Sequence, residues 1–173
     1  MLVRFDDISI NCLQDDVNNI TNYLIDNNHK VMWAISPLVN DTKNERVFPN
    51  IFKAYSDHRV FFNIDKIGLP QLRDDVVVAS HGLIHIDHRL LTKEQQEMSI
   101  LISSSIIKSK IFVPPFNKWN KDTESICKEF DIELIKFEDG WLSIEHNDFD
   151  VNHEKYYFHH RDFGLEKIKN WIK

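Results

Sequence analysis

The chain has 173 residues, of which 42% are hydrophobic and 28% charged, a composition that disfavours disorder and predicts one folded domain over residues 1–173. Its net charge of −6 argues against non-specific binding to nucleic acids, which uses clustered lysine and arginine. The two cysteines, Cys12 and Cys127, are far apart and form neither a zinc ribbon nor a disulfide framework, which fits a reducing compartment.

No apolar run approaches the roughly 20 residues that a membrane span needs. The first residues have the pattern of a strand and show no basic, apolar and cleavage regions of a signal peptide. We therefore expect a cytoplasmic protein without a membrane span. The sequence does not indicate the oligomeric state.

Strand and helix patterns alternate along the first half of the chain. A strand over residues 1–5 runs directly into Asp6 and Asp7. A helix follows from residue 15 or 16 to about residue 26, because apolar side chains recur there on one helical face. Further strands are predicted over residues 30–35, 60–64 and 75–79, with a short helix at 48–55.

The second half continues the alternation. Thr92 and Gln95 have the spacing of a capping box that opens a helix. A strand over 110–113 stops at two prolines, and Asn120 is expected to cap the next helix. The remaining predicted elements are strands at 133–137 and 156–158, a short apolar segment at 141–144 and a C-terminal helix at 165–172. Such alternation predicts parallel pairing in an α/β sheet or barrel.

The polar residues that need an explanation all follow predicted strands. They are Asp6 and Asp7, His81 and His85, residues 114–117, and His159 and His160. Parallel strands place their carboxyl ends on one edge of a sheet or barrel, where such folds hold their chemistry. We therefore expect these four groups to meet on one rim.

Three histidines, His81, His85 and His88, follow the strand at 75–79. Two histidines four residues apart can share one divalent cation, and the alternative is a histidine-rich surface turn. A zincin protease site is excluded because it needs glutamate directly after the first histidine, and this chain has Gly82. His88 is interpreted as exposed or structural, while a role as a further ligand or as support for a ligand stays open.

Taken in order, four segments resemble the motifs of the polysaccharide deacetylases, a family of metal-dependent sugar N-deacetylases. The segments are Phe-Asp-Asp at 5–7, Ser-His-Gly-Leu-Ile-His at 80–85, Phe-Val-Pro-Pro-Phe-Asn at 112–117 and Tyr-Phe-His at 157–159. The resemblance implies a distorted (β/α) TIM-like barrel with about seven strands. The chain is short for the family, which leaves open that the barrel is incomplete.

The resemblance also implies a general base and a metal site. Asp6 corresponds to the base, and Asp7, His81 and His85 correspond to the metal ligands. Zinc is the expected ion, with iron, cobalt, nickel or manganese as alternatives, because a site of one carboxylate and two imidazoles accepts all of them.

The third segment implies the substrate groove. Pro115, Phe116 and Asn117 correspond to residues that wall the groove, and the backbone amide of Phe116 corresponds to the oxyanion donor. Trp141 is a further candidate for contact with a sugar ring, because aromatic side chains offer flat apolar faces.

The last segment implies a general acid. His159 matches the acid of the family, with His160 as the alternative, since only one of two neighbouring strand residues can face the site. The fourth family motif is hard to place, and residues 139–141 are its nearest candidate.

Two positions depart from the family pattern. Val113 stands where the family has an arginine that orients the base, so another cation, Arg161 or Arg89, is expected to replace it. Ile8 stands where the family usually has glycine.

The function implied is that of a metal-dependent hydrolase acting on an N-acetylated sugar or sugar derivative. It would yield acetate and an amino sugar, in the synthesis of envelope or capsule polysaccharide. The alternative is a degenerate domain without catalysis that binds carbohydrate or a partner, which the missing arginine favours. The sequence does not specify the sugar or the acyl group.

Overall fold

A computed structural model describes residues 1–9, 14–37, 71–147, 149–159 and 164–172. The helix predicted at 48–55 and the strand predicted at 60–64 lie outside the described residues, as do Cys12, His160 and Arg161. Within the described ranges, none of the helices has the length and apolar character needed to cross a bilayer.

Seven parallel strands form one curled sheet in the described part of the chain. They are β1 (Leu2–Ile8), β2 (Lys30–Ile35), β3 (Val77–Ser80), β4 (Ile111–Phe112), β5 (Glu133–Leu134), β6 (Leu142–Ser143) and β7 (Lys155–His159). Neighbours follow the order β5-β4-β3-β2-β1-β7-β6, and every pair is parallel. This is the cyclic order of a barrel opened between β5 and β6. The prediction of a distorted (β/α) barrel with about seven strands is confirmed.

The described helices begin where the sequence supplies caps. They are α1 (Gln14–Asp26), α2 (Lys93–Ile107), α3 (Lys121–Glu129) and α4 (Leu165–Trp171). The predicted capping box is present, because the Gln95 amide donates to the Thr92 hydroxyl and the Gln95 side chain accepts from the Thr92 amide. The side chain of Asn120 accepts from the amide of Thr123, as predicted for its helix.

The strand predicted at 133–137 is shorter than expected. It ends at Leu134, and a 3-10 turn over Phe137–Asp139 follows. The Asp139 carboxylate accepts a hydrogen bond from the Lys136 amide, and Gly140 closes the turn with a φ of 88°. A side chain that bonds to the backbone in this way competes with strand pairing.

The sheet buries both of its faces. The outer core lies between the sheet and the helices, and its members include Val3, Phe5, Val17, Ile20, Leu24, Phe158 and Ile168. The barrel interior lies on the concave face, and its buried members are Met32, Ala34, Ala79, Val113, Ile135 and Trp141. Consecutive residues of β1 therefore serve different faces, as strand alternation requires.

Candidate metal and catalytic site

An irregularity at the end of β1 brings two aspartates to the same rim. The register with β2 shifts between Phe5 and Ile8, and Asp7 has a φ of 65°, which is uncommon for a residue other than glycine. In a regular strand Asp6 and Asp7 would face opposite sides, and a bulge redirects one of them. Both carboxylates are buried, with exposures of 1% and 0%.

Asp7, His81 and His85 form a buried cluster at the carboxyl ends of β1 and β3. Each residue offers one ligand atom, and these atoms lie within 4.8 Å of one another. The Nε2 atoms of His81 and His85 are 3.4 Å and 2.9 Å from the Oδ1 atom of Asp7. One carboxylate and two imidazoles are a donor set that suits zinc and related transition metals.

The hydrogen bond on the far side of His81 fits a metal site. Its Nδ1 atom is 2.8 Å from the carbonyl oxygen of Val113, which can only accept, so Nδ1 carries the hydrogen. In the form of the ring that binds metal, Nε2 is unprotonated and presents its lone pair towards Asp7. A lone pair facing a carboxylate is stabilised by a cation between them, and metal-binding histidines are held by such bonds to a carbonyl.

The electrostatics of the cluster keep Asp7 in the form that binds metal. Burial alone would raise the pKa of Asp7. The hydrogen bonds and charges of His81 and His85 outweigh burial and hold the pKa of Asp7 well below its usual range. Asp7 is therefore an anion over the physiological pH range, as a metal ligand must be.

The side chain that supports Asp6 is Arg4, which lies two residues earlier on the same face of β1. Its Nε and Nη2 atoms donate to the two carboxylate oxygens of Asp6 at 2.7 Å and 2.8 Å. Arg4 is fully buried, and its guanidinium lies 4.7 Å from the ring centroid of Trp141 and 4.9 Å from that of Tyr157. Cation–π contacts of this kind compensate part of the lost hydration.

Arg4, and not Arg89, is the cation that the structure pairs with Asp6. Arg89 is exposed and pairs with Asp87, so its assignment is wrong. Arg161 lies outside the described residues. Val113 is fully buried in the barrel interior. The signal for Arg4 in the sequence is its i,i+2 spacing from Asp6, which places both side chains on one face of a strand.

The segment Pro115–Asn117 forms a tight turn after β4, beside the metal cluster. Phe116 and Asn117 have φ values of 58° and 53°, a backbone conformation that costs on the order of 1–3 kcal/mol for such residues. The Asn117 amide bonds to the carbonyl of Pro114, whereas the Phe116 amide has no acceptor among the described residues. The Phe116 ring lies 4.3 Å from that of His85.

Two residues predicted to face the substrate are buried instead. Pro115 is buried within its turn, and Trp141 is 2% exposed with its ring over the guanidinium of Arg4. Trp141 is therefore not a platform for a sugar ring, because it packs in the barrel interior just before β6 begins. Phe116 is 43% exposed and remains available at the rim.

His159 ends β7 directly opposite Asp6 of β1. Its Nδ1 atom is 2.6 Å from Oε1 of Glu145, and its backbone amide donates to the same oxygen at 3.1 Å. Burial would lower the pKa of His159, but the charges of Asp6 and Asp7 and the contact with Glu145 outweigh burial and raise it. A raised pKa favours the protonated ring, the form that can donate a proton. His160 lies outside the described residues.

The carboxylate beside His159 belongs to a residue that the sequence analysis does not single out. Asp139 is exposed and accepts a hydrogen bond from the amide of Lys136. Glu145 instead follows β6, at the same rim as the other polar groups. The only sequence signal for Glu145 is that a carboxylate follows a strand shortly after its end. This signal is weak because β6 has only two residues.

His88 is interpreted from the sequence as exposed or structural, and because it is fully buried the structural interpretation applies. Its Nδ1 atom donates to the carbonyl of Ile86, so Nε2 of the neutral ring accepts from the hydroxyl of Ser99 at 3.2 Å. The Ser99 oxygen in turn accepts from the amide of Leu83. Burial lowers the pKa of His88 to about 4, which makes the ring neutral at physiological pH. A Cβ on Gly82, which has a φ of 78°, would lie 2.9 Å from the His88 ring. His88 therefore supports the loop that carries His81 and His85.

The barrel order and the rim define the class of fold. The chain has the fold of the family 4 carbohydrate esterases and peptidoglycan deacetylases, in a version of divergent sequence. The resemblance found in the motifs is thereby confirmed at the level of the fold. No family model and no curated protein sequence matches the chain.

Three solved structures illustrate the similarity. A family 4 carbohydrate esterase from Streptomyces lividans, in complex with acetate, superposes with a TM-score of 0.57 at 14% identity, over 97% of this chain and 81% of that one. The peptidoglycan deacetylase PdaC from Bacillus subtilis gives a TM-score of 0.60 at 10% identity, over 99% and 79%. A pseudoenzyme of the same family from Bacillus anthracis gives 0.56 at 14% identity, over 98% and 60%.

Proposed function

We propose that this protein is a metal-dependent hydrolase that removes an N-acetyl group from a sugar or sugar-containing substrate. The observation that carries the proposal is that the candidate metal ligands and catalytic groups share one rim of the barrel. There the Asp7, His81 and His85 cluster lies beside the carboxylate of Asp6 and the imidazole of His159. Support comes from the fold, which a carbohydrate esterase and a peptidoglycan deacetylase share.

The residues of the rim divide the reaction between them. A divalent cation bound in the cluster would polarise the amide carbonyl and acidify water. Asp6 accepts the proton of the attacking water, and the Phe116 amide donates to the oxygen that gains negative charge. His159 donates a proton to the departing nitrogen, because an amine leaves far more readily than its anion. The products are acetate and an amino sugar.

The exposed groups at the rim favour a carbohydrate substrate. Phe116 projects a flat apolar ring next to His85, and sugar rings pack on such faces. Zinc is the proposed ion, with iron, cobalt, nickel and manganese as alternatives, since the donor set accepts all of them.

A second candidate function is binding without catalysis. It is favoured by the fold similarity to a pseudoenzyme of carbohydrate esterase family 4. A protein of this kind would retain the cluster and the groove and would release no acetate. Acetate release therefore separates the two candidates.

The proposal is tested by metal analysis together with acetate release from a panel of N-acetylated sugars and sugar nucleotides. We expect about one transition-metal ion per chain after reconstitution. Asp7→Ala should lower metal affinity by more than about 100-fold, since a direct ligand matters more than its hydrogen-bond partner. Asp75→Ala, which alters an exposed carboxylate paired with Arg73, is the matched control and should keep the metal.

Absence of bound metal in the reconstituted wild type would contradict both the site and the mechanism. Bound metal without acetate release from any substrate of the panel would favour the binding function. Acetate release at the wild-type rate by metal-free Asp7→Ala would show that the cluster does not take part in the reaction.

A further inference from the structure

Arg4 places a guanidinium inside an otherwise apolar barrel interior. Its side chain is fully buried and packs between the rings of Trp141 and Tyr157. Ala34 of β2 and Ala79 of β3 belong to the same interior and are fully buried. These small side chains on β2 and β3 leave volume for the long side chain of Arg4.

The guanidinium joins two separate parts of the rim. Two of its nitrogens donate to the carboxylate of Asp6. Nη2 also donates to Oδ1 of Asn117 at 2.8 Å, across 113 positions of the sequence. Asn117 is adjacent to Phe116, and both residues have positive φ values. One side chain therefore contacts both the end of β1 and the strained turn after β4.

The energetics of a buried ion pair indicate that Arg4 acts through geometry. Removing a guanidinium and a carboxylate from water costs free energy that their attraction repays only with good geometry, and apolar replacements of such pairs are often equally stable. What the guanidinium adds is a planar fork that fixes a carboxylate through two parallel hydrogen bonds. A core side chain selected for stability alone has no need of this fork.

We propose that Arg4 is a positioning residue that fixes the base Asp6 and the turn carrying the Phe116 amide at the same time. The assignment rests on the proposed function, because it concerns the orientation of the base and of the oxyanion donor. A misplaced base or donor slows the chemical step while substrate binding and the metal cluster stay intact.

The test compares variants of Arg4 in the metal-loaded protein. Arg4→Met keeps the length and removes the fork, and Arg4→Lys keeps the charge and removes the fork. We expect both to lower kcat by about 100-fold, with KM and bound metal within about threefold of wild type. Asn117→Ala removes one of the contacts, and its expected loss in kcat is about 10-fold. Met32→Ala, which loosens the same interior without touching the rim, is the matched control.

A relocation variant provides a rescue that a structural role would not produce. Val113 belongs to the same interior, so Val113→Arg in the Arg4→Met background offers a guanidinium from the residue that follows β4. We expect it to recover at least about 10-fold of the lost kcat. A folded, metal-loaded double variant with no recovery would contradict the assignment.

The outcomes separate the two levels of the proposal. An active wild type with an equally active Arg4→Met overturns the assignment of Arg4 and leaves the proposed function in place. If Arg4→Met and Met32→Ala lose kcat and bound metal to the same extent, the positioning role of Arg4 is overturned, and its side chain only packs the interior. A metal-loaded wild type that releases no acetate overturns the proposed function together with the assignment.

Discussion

The two faces of β1 are equally buried and differ in chemistry. Val3 and Phe5 point into the outer core, where Phe5 stacks on Phe158 of β7 with ring centroids 4.5 Å apart. Arg4 and Asp6 point to the concave side and are joined by two hydrogen bonds. None of these four residues is more than 1% exposed.

The comparison shows that burial alone does not separate residues that stabilise the fold from residues of the candidate site. Apolar area removed from water on the outer face contributes directly to the free energy of unfolding. The ion pair on the inner face contributes little net stability, because its attraction is offset by the cost of desolvation. It determines instead where a carboxylate and a turn lie.

The largest expected effect is on the inner face. Asp6→Asn keeps the size of the side chain and removes the proton acceptor, so kcat should fall by about 1000-fold, or about 4 kcal/mol, while bound metal is retained. Acetate release and metal content measured on the same preparation check this. Release at the wild-type rate would exclude Asp6 as the base.

The control for Asp6→Asn is the double variant that carries both Arg4→Met and Asp6→Asn. The single change leaves the buried guanidinium without a full negative partner and should lower stability, whereas the double change removes both charges. We expect the double variant to regain thermal stability without regaining activity. A double variant less stable than Asp6→Asn would contradict the distinction between the two faces.

The next largest effect is a loss of stability on the outer face of β1. Phe5→Ala should lower the free energy of unfolding by about 3 kcal/mol, because it removes a buried ring and leaves a cavity. The kcat of the folded fraction should stay within about threefold of wild type, since the ring does not reach the rim. Urea unfolding and acetate release measure the two quantities.

Leu90→Ala is the control for that measurement, because Leu90 is exposed and its loss should change stability by less than about 0.5 kcal/mol. A strong loss of kcat in Phe5→Ala without a loss of stability would contradict the conclusion that the outer face of β1 serves stability and the inner face serves catalysis.

The smallest expected effect extends the comparison to the end of β7. The pKa of His159 is raised in part by Glu145, and a proton donor loses activity as the pH rises through its pKa. Glu145→Gln removes one negative charge, so the alkaline limb of the kcat profile should move to lower pH, with a loss of about 10-fold at neutral pH.

The charges of Asp6 and Asp7 remain in Glu145→Gln and still raise the pKa of His159. The alkaline limb should therefore move by less than it would if all three carboxylates were removed. Glu138→Gln changes an exposed carboxylate of the Phe137–Asp139 turn and is the matched control. An alkaline limb that stays in place or moves to higher pH would exclude the proposed role of Glu145.

The sequence by itself predicts the parallel α/β architecture, the caps of two helices and the rim to which the polar groups belong. These features depend on hydrophobic periodicity, on capping residues and on residue types within a few positions of one another. The same local reasoning places Asp6 and Asp7 on one rim with His81 and His85, and the family resemblance selects Asp7, His81 and His85 as the ligand set.

Only the tertiary structure decided which side chains support these groups. The bulge at Asp7 follows from how β1 pairs with β2, and the contact between Arg4 and Asn117 needs the barrel to bring together residues 113 positions apart. The pairing of Glu145 with His159 likewise depends on β6 lying beside β7. Long-range contacts of this kind leave no periodic signal in the sequence, since they are set by packing and register rather than by neighbouring residues.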